Sequence, residues 1–327
     1  MVTDIVQKLV DARPNSVMLV LDAYPILSDD DSWTNRTPPR GADVLAYQDH
    51  LRATLKSLHT AKLLWRTRFE LFNEPNAPDF FEAKWYSKFT SAVDLAMEVL
   101  TNNVPGVDQG FAVPKDRIKC CAFTSDFMRA DAPPTSNSDP RSNLIQGLFN
   151  LLMGYSHTSL ADLESVALTW HWYPRKGIAP SQDNATPSDI YLGSKASGTD
   201  MPTGGMITEF NLDGWLSVNN RYGKYDEHGN WLKGYRQSSA LDDDFRAILD
   251  YSTAHQFTDL YLYKLSNNND EPNGVKIDMG FFDSTGCPKY EYVRMLELLR
   301  RSSTANSKLS PQNCPDALDW KADKPLP

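Results

Sequence analysis

The sequence predicts an α/β protein built on a parallel sheet, and two observations support this fold class. Six short apolar runs have the length and the β-branched or aromatic content of buried strands. Helical patterns separate several of these runs, and strands that alternate with helices form parallel sheets. The predicted strands cover residues 17–23, 63–73, 118–123, 166–173, 206–210 and 258–265. The predicted helices cover residues 3–12, 43–60, 80–101, 143–154, 241–255 and 289–301.

Length and charge limit the class of protein. A chain of 327 residues is long enough for one large domain, which we place at residues 1–301 and follow with a polar tail at 302–327. The net charge of -9 and the pI near 5.2 argue against nucleic acid or an anionic membrane as the main partner. No run of 18 apolar residues predicts a membrane span, and the first residues do not resemble a signal peptide.

The four cysteines predict neither a metal site nor a disulfide framework. Cys120 and Cys121 are adjacent in an apolar strand, where we expect buried thiols. Cys287 and Cys314 can pair or stay free, and the sequence leaves this open. No Cys/His spacing is typical of zinc, so no metal is expected.

Polar side chains stand at the carboxyl ends of three predicted strands. Asn73 and Glu74 follow the apolar run that Pro75 ends, because proline has no N–H to donate to a strand ladder. His171 and Tyr173 are two residues apart and therefore share one strand face. Glu209 stands near the end of the next strand. A carboxylate beside an apolar strand is costly unless it is paired or used, so these residues are candidates for a site.

The stretch Phe-Glu-Leu-Phe-Asn-Glu-Pro-Asn, residues 69–76, resembles clan A of the retaining glycoside hydrolases. In that clan the acid/base follows an Asn on the fourth barrel strand, and the nucleophile ends the seventh. Within the clan, residues 69–76 most resemble the β-xylosidase and α-L-iduronidase family. Residues 258–265 are also similar to the β-agarase and β-porphyranase family. The resemblance covers about residue 17 to about residue 300 and implies a (β/α)8 TIM barrel.

The strand count departs from that barrel. Eight strands are needed and six are visible, so we expect the first two strands of the barrel to be lacking before residue 17. A gene fragment, a mis-assigned start or another mode of closure would each account for this. An open seam would expose strand edges, so we also expect self-association. The arginine that the clan carries late on its second strand has no counterpart here.

The resemblance implies a retaining O-glycoside hydrolase that cleaves a β-linked poly- or oligosaccharide without a cofactor. It assigns Glu209 as nucleophile and Glu74 as acid/base, and Asn73 as a ligand of the hydroxyl next to the anomeric carbon. Retention requires the two carboxyl groups to lie about 5–5.5 Å apart. The full-length protein is then expected to be secreted or extracellular.

Other side chains are candidates for substrate binding or support. His171 can orient Glu74 or contact the sugar, and Tyr173 can hold Glu209 ionised. Glu70 shares the strand phase of Phe72 and Glu74, so we expect it below the site as a structural hydrogen-bonding residue. Aromatic side chains that can stack on sugar rings are Trp172, Trp215 and Tyr263. Lys264 suits an anionic sugar or is an ordinary solvated lysine.

Two other readings stay open at this point. The chain can be a non-catalytic or vestigial carbohydrate-binding barrel whose missing strands abolish turnover. It can also be an unrelated α/β protein in which Glu74 and Glu209 have no joint role.

Overall fold

A computed structural model describes the elements that position the candidate site. The described residues are 2–12, 17–21, 43–75, 86–124, 168–172, 186–188, 205–210 and 238–262. The predicted helices at 143–154 and 289–301, the tail at 302–327 and both Cys287 and Cys314 lie outside these ranges.

The described elements alternate between helix and strand along much of the chain. The helices are α1 (Val2–Ala12), α2 (Asp43–Thr60), α3 (Tyr86–Leu100) and α4 (Ser238–Ala254). The strands are β1 (Val17–Leu21), β2 (Thr67–Leu71), β3 (Ile118–Thr124), β4 (Leu168–Trp172), β5 (Met206–Phe210) and β6 (Asp259–Leu262). All six predicted strands are therefore confirmed in place. No helix among the described stretches is long and apolar enough to cross a bilayer.

One strand begins later than the sequence predicts. Residues 63–66 were expected to extend β2, but Leu64–Arg66 form a 3-10 helix. The Arg66 N–H donates to the Leu63 carbonyl at 3.0 Å, and the backbone becomes extended only at Thr67. Leu63 and Leu64 are both buried, so they pack into the core from a helical turn and not from a strand.

The strands form one six-stranded sheet in sequence order, β1-β2-β3-β4-β5-β6. β1, β2, β3 and β4 pair in parallel, with Val20 opposite Glu70 and Glu70 opposite Lys119. A strand order that follows the chain with parallel pairing is the pattern of an α/β barrel. The register of β3 against β4 shifts between Cys120 and Phe123, which marks a local irregularity in the ladder.

The apolar core lies between the outer face of this sheet and the helices. Its strand members include Phe69 and Leu71 of β2 and Ile118 of β3, all fully buried. Leu51, Leu55 and Leu58 of α2 and Val93, Ala96 and Leu100 of α3 belong to the same cluster. Cys120 and Cys121 are also buried here, as the sequence predicted.

Contacts between strands that are not neighbours show that the sheet curves. The Thr208 hydroxyl of β5 donates to Glu70 Oε1 of β2 at 2.7 Å. β2 and β5 are three strand spacings apart, which is about 14 Å in a flat sheet. Arg68 of β2 also pairs with Asp259 of β6, at 2.8 Å between Nη1 and Oδ2. Side chains can bridge these gaps only if the sheet curves around a common interior.

The chain divides into two units, and the boundary passes through β5 and β6. The first unit holds α1 to β4, residues 206–208 and His255–Asp259. The second holds Glu209, Phe210, α4 and residues 260–262. In the second unit, Phe210 stacks on Phe245 of α4 with ring centroids 6.0 Å apart. The predicted single domain at 1–301 stays a prediction.

Candidate active site

The chain leaves β2 through a turn with two strained residues. Phe72 has φ 62° and Glu74 has φ 50°, in the left-handed region that bulky side chains rarely occupy. The turn at Phe72 breaks the strand alternation, and its ring stacks on Tyr47 of α2 with centroids 6.3 Å apart. Phe72 therefore joins the apolar core, and the prediction that it shares the inward phase of Glu70 is wrong. Such strain costs about 1–3 kcal/mol per residue and is often found at functional sites.

Glu74 and His171 form a buried pair at the carboxyl end of the sheet. His171 Nδ1 lies 2.8 Å from Glu74 Oε1, and the two residues are 1% and 8% exposed. His171 is the fourth residue of β4 and Glu74 follows β2, so strands that are not neighbours deliver the two groups. A carboxyl group in contact with an imidazole can exchange a proton, which is what general acid/base chemistry requires. The role of His171 in orienting Glu74 stays a prediction.

Glu70 lies within β2, four residues before Glu74, and is also buried. It accepts a hydrogen bond from the Thr208 hydroxyl at 2.7 Å, and Thr169 is a second hydroxyl partner. Burial raises the pKa of the Glu70 carboxyl above its ordinary 4.5, and the nearby Glu74 adds to this rise. The charge of His171 and the two threonine hydroxyls act in the opposite direction and favour the carboxylate.

The backbone of β3 supports one of these hydroxyls. The N–H of Ala122 donates to Thr169 Oγ1 at 2.8 Å. Because that oxygen is occupied as an acceptor, the hydroxyl proton of Thr169 remains available for Glu70. The network therefore runs from the β3 backbone through Thr169 to Glu70, and from Glu70 to Thr208 of β5.

Charged groups of a different kind lie toward the amino end of the strands. Arg68 and Asp259 form the ion pair described above, and each side chain is about a quarter exposed. Lys119 of β3 is buried nearby, and burial together with the positive charge of Arg68 lowers its pKa from 10.5 to about 8. Among the described residues, this end of the interior thus holds two basic groups and one acid.

The other predicted site residues fall into three groups. Asn73 is half-buried between the two strained residues, next to Glu74. Trp172 ends β4 and is buried, and its stacking on a sugar stays a prediction. Tyr173, Trp215, Tyr263 and Lys264 lie outside the described residues.

Glu209 is the fourth residue of β5 and is half-buried. It directly follows Thr208, the residue whose hydroxyl holds Glu70. Glu74 belongs to the first unit and Glu209 to the second, so the predicted distance between their carboxyl groups stays a prediction.

Sequence reasoning missed Thr169, Thr208 and Lys119 as members of this interior. A signal was present, because Thr169 is two residues before His171 and therefore shares its strand face. Lys119 is a basic residue in a strand that is otherwise apolar. A basic or hydroxyl side chain inside an apolar strand marks a position that faces a polar partner.

Comparisons with known proteins bear on the fold. No family model matches this chain, and no curated protein matches it. A monomeric β-xylosidase from Caulobacter crescentus CB15 is similar with a TM-score of 0.51 and 14% identity, over 86% of this chain and 52% of its own. A glucosidase from Croceicoccus marinus has a TM-score of 0.55 and 11% identity, over 91% of this chain and 52% of its own. The chain thus spans about half the length of these two structures. At such identities the likeness shows the fold alone, and the fold is an α/β barrel, in part, of the kind that these glycosidases share.

Proposed function

We propose that this chain is a retaining O-glycoside hydrolase of the clan A type, acting on a β-linked poly- or oligosaccharide. The observation that carries the proposal is the buried contact between Glu74 and His171 at the carboxyl end of a curved parallel sheet. Barrels of this kind hold their active sites at that end of the strands. The similar β-xylosidase and glucosidase, by their names, act on glycosides, and the stretch at residues 69–76 resembles the β-xylosidase and α-L-iduronidase family.

In the first step Glu209 acts as the nucleophile and Glu74 as the acid. A carboxylate oxygen of Glu209 forms a bond to the anomeric carbon while the bond to the leaving oxygen breaks. Glu74 gives its proton to that oxygen, so the aglycone departs as an alcohol. Asn73, beside Glu74, binds the hydroxyl next to the anomeric carbon, where a hydrogen bond strengthens as positive charge develops on the ring.

In the second step the roles of Glu74 reverse. The carboxylate of Glu74 removes a proton from water, the water oxygen attacks the anomeric carbon, and the bond to Glu209 breaks. Glu74 regains the proton it lost, so the cycle closes without a cofactor. His171 holds Oε1 of Glu74 throughout, which leaves the second carboxyl oxygen to face the substrate.

The substrate class follows from the same resemblance. A β-linked sugar polymer of plants or algae fits the resemblance to β-xylosidases and to β-agarases and β-porphyranases, and such polymers are met outside the cell. We therefore propose that the full-length protein is secreted. Trp172, Trp215 and Tyr263 are proposed to stack on sugar rings, Tyr173 to support Glu209, and Lys264 to contact an anionic sugar.

The roles of the two carboxyl groups can be tested by substitution. Glu209→Ala should abolish formation of the glycosyl-enzyme, and azide should restore turnover with an inverted product. Glu74→Ala should slow substrates with poor leaving groups far more than activated aryl glycosides, because only the former need protonation. Azide should then give a product of retained configuration. A matched control is Glu98→Gln on α3, whose carboxylate accepts a hydrogen bond from Gln48 at 3.1 Å within the helical layer.

Several outcomes would overturn these assignments. Exchanged behaviour of the two variants would reverse the roles, and unchanged activity in either variant would refute the site. Binding of oligosaccharides with no turnover by the unaltered chain would favour the alternative of a non-catalytic carbohydrate-binding barrel.

Self-association is a separate proposal. Within the described sheet β1 is paired on one side, by β2, and Val20 of β1 is 42% exposed. An exposed parallel edge with apolar side chains invites pairing with another chain. We expect dimers or larger species in sedimentation experiments, and a soluble monomer that unfolds cooperatively would contradict this.

A further inference from the structure

Lys119 is a buried basic group that the proposed reaction does not use. It is the second residue of β3 and is 8% exposed. It stands opposite Glu70 in the parallel register, so the two side chains leave the sheet on the same inner face. Burying an ammonium group is costly unless an opposite charge or hydrogen-bond acceptors compensate it, and lysine is therefore almost never buried without a partner.

The acids near Lys119 are already paired with arginines. Arg68 lies 2.8 Å from Asp259, between Nη1 and Oδ2. Arg117 ends the 3-10 turn that precedes β3, and its Nε lies 4.0 Å from Asp116 Oδ2. Within the described parts of the chain, no ion pair or hydrogen bond reaches the ammonium group of Lys119. The lysine is the cation of this group that lacks an acid of its own.

The charges that act on Lys119 leave one positive charge in excess. They come from two arginines and two acids, namely Arg68, Arg117, Asp116 and Asp259. With Lys119 itself, three cations therefore face two anions. The pKa of Lys119 is lowered to about 8, so the group still carries its charge at pH 7.

Glu70 does not supply the missing negative charge. Its Oε1 accepts the Thr208 hydroxyl at 2.7 Å, which directs the carboxyl group toward β5. The charges that act on Glu70 are those of His171 and Glu74, both toward the carboxyl end of the strands. The two register neighbours thus belong to separate polar groups, and Lys119 needs a counter-ion from elsewhere.

Solvent reaches the group that surrounds Lys119. The side chains of Arg68, Asp259 and Arg117 are each about a quarter exposed. A small anion can therefore approach without displacing the apolar core. Lysine binds oxyanions as a point charge and arginine through a fork of N–H donors, so both residue types suit such a ligand.

We propose that the amino end of the interior is a binding site for a small oxyanion, which Lys119 holds with Arg68 and Arg117 beside it. Phosphate, sulfate and a carboxylate group share the required chemistry. The bound anion supplies the charge that the two paired acids do not, and so offsets the cost of burying the lysine. The site lies at the opposite end of the strands from Glu74, so it is separate from the proposed hydrolysis.

Thermal unfolding of the full chain tests the site, because an anion that binds the folded state raises the unfolding midpoint. Sodium phosphate and sodium acetate are each compared with sodium chloride at equal ionic strength and pH 7. The dissociation constant that follows from the shift should rise about tenfold or more in Lys119→Met, which loses one charge-assisted contact. Lys56→Met removes an exposed lysine from α2 and should respond as the unaltered chain does.

A local measurement on the unaltered chain covers the case in which Lys119→Met does not fold. Acetic anhydride modifies neutral amines, and a bound anion both covers Lys119 and favours its protonated form. Phosphate should therefore slow the acetylation of Lys119 relative to that of Lys56, as followed by peptide mass spectrometry.

The outcomes separate the proposal from its rivals and from catalysis. A response to phosphate but not to acetate identifies a tetrahedral oxyanion, and an equal response to both identifies a site that also takes carboxylates. A midpoint that follows ionic strength alone, an equal response of the unaltered chain and Lys119→Met, or acetylation of Lys119 that phosphate does not slow would each overturn the proposal. None of these measurements needs turnover, so their result is independent of the proposed function.

Discussion

The two ends of the barrel interior hold charged groups of different kinds. Toward the amino end, the Arg68 guanidinium pairs with the Asp259 carboxylate, at 2.8 Å between Nη1 and Oδ2. Toward the carboxyl end, Glu74 contacts His171, and the charge of such a pair depends on a proton that either group can hold. Both pairs join strands that are not neighbours. The amino-end pair joins two strands of the sheet, whereas the carboxyl-end pair lies where barrel enzymes hold their active sites.

The largest expected effect is a loss of activity when Glu74, at the carboxyl end, is substituted. Glu74→Gln removes the proton donor while preserving the shape of the side chain. We expect the hydrolysis of substrates with poor leaving groups to fall by about 10³-fold, the range of general acid catalysis. Thermal unfolding should change little, because the amide can still bond with His171. A variant that unfolds early but retains activity would show that Glu74 is structural.

Breaking the other pair should reverse that pattern. Arg68→Met leaves Asp259 without the guanidinium, and its charge is then held near the interior. We expect the free energy of unfolding to fall by about 2 kcal/mol, between the values for exposed and fully buried pairs. Activity per folded molecule should stay close to that of the unaltered chain. Adding Asp259→Asn should recover part of this loss, which a double-mutant cycle of denaturant midpoints measures. A cycle that shows no coupling between the two positions would contradict a stabilising role for this ion pair.

Lys119 extends the comparison, because burying its positive charge at the amino end destabilises the folded chain. Its pKa is lowered from 10.5 to about 8, so the folded chain holds its charge unfavourably below pH 8. Between about pH 8 and 10.5 the unfolded chain binds more protons, and stability therefore rises with pH in that window. Lys119→Met should be more stable at pH 7 by about 1–2 kcal/mol. The gain should shrink toward pH 10, and urea unfolding at both pH values tests this.

The smallest expected effect concerns the pH dependence that Glu70 contributes. The pKa of Glu70 is raised in the folded state, so the folded chain binds this proton more tightly than the unfolded chain. The resulting contribution to the free energy of unfolding is fully present below pH 4.5 and is lost as the pH rises through the folded pKa. Glu70→Gln removes this decline. Denaturation of both proteins from pH 4 to pH 7 should show a flatter profile for the variant, and parallel profiles would contradict the raised pKa.

Much of the fold was readable from the sequence because local patterns dominate it. The buried strands are apolar runs of five to seven residues, and β1, β3 and β5 appear where those runs stand. The start of β2 was missed because Leu63 and Leu64 are equally apolar in a 3-10 turn and in a strand. The direction of the Phe72 side chain was predicted wrongly, because nothing in the sequence indicates a left-handed φ at a bulky residue.

The site was readable only in outline. Glu74 and His171 were identified because polar residues at the ends of apolar strands are unusual. The network of Glu70 with Thr169 and Thr208 was not predicted, since it depends on the curvature that brings β2 and β5 together. The curvature of the sheet depends on all its strands together, so no short stretch of sequence predicts it.

The central proposal is that the carboxyl end of this interior cleaves glycosides through a covalent intermediate on Glu209. A panel of activated 2-deoxy-2-fluoro β-glycosides, including the xyloside and the glucoside, would trap that intermediate, because the fluorine slows its hydrolysis more than its formation. We predict a single added glycosyl group on the full chain, located by peptide mass spectrometry at Glu209, and no labelling of Glu209→Ala. Labelling at Glu74, or turnover of a glycoside with inverted product and no labelled peptide, would contradict the account.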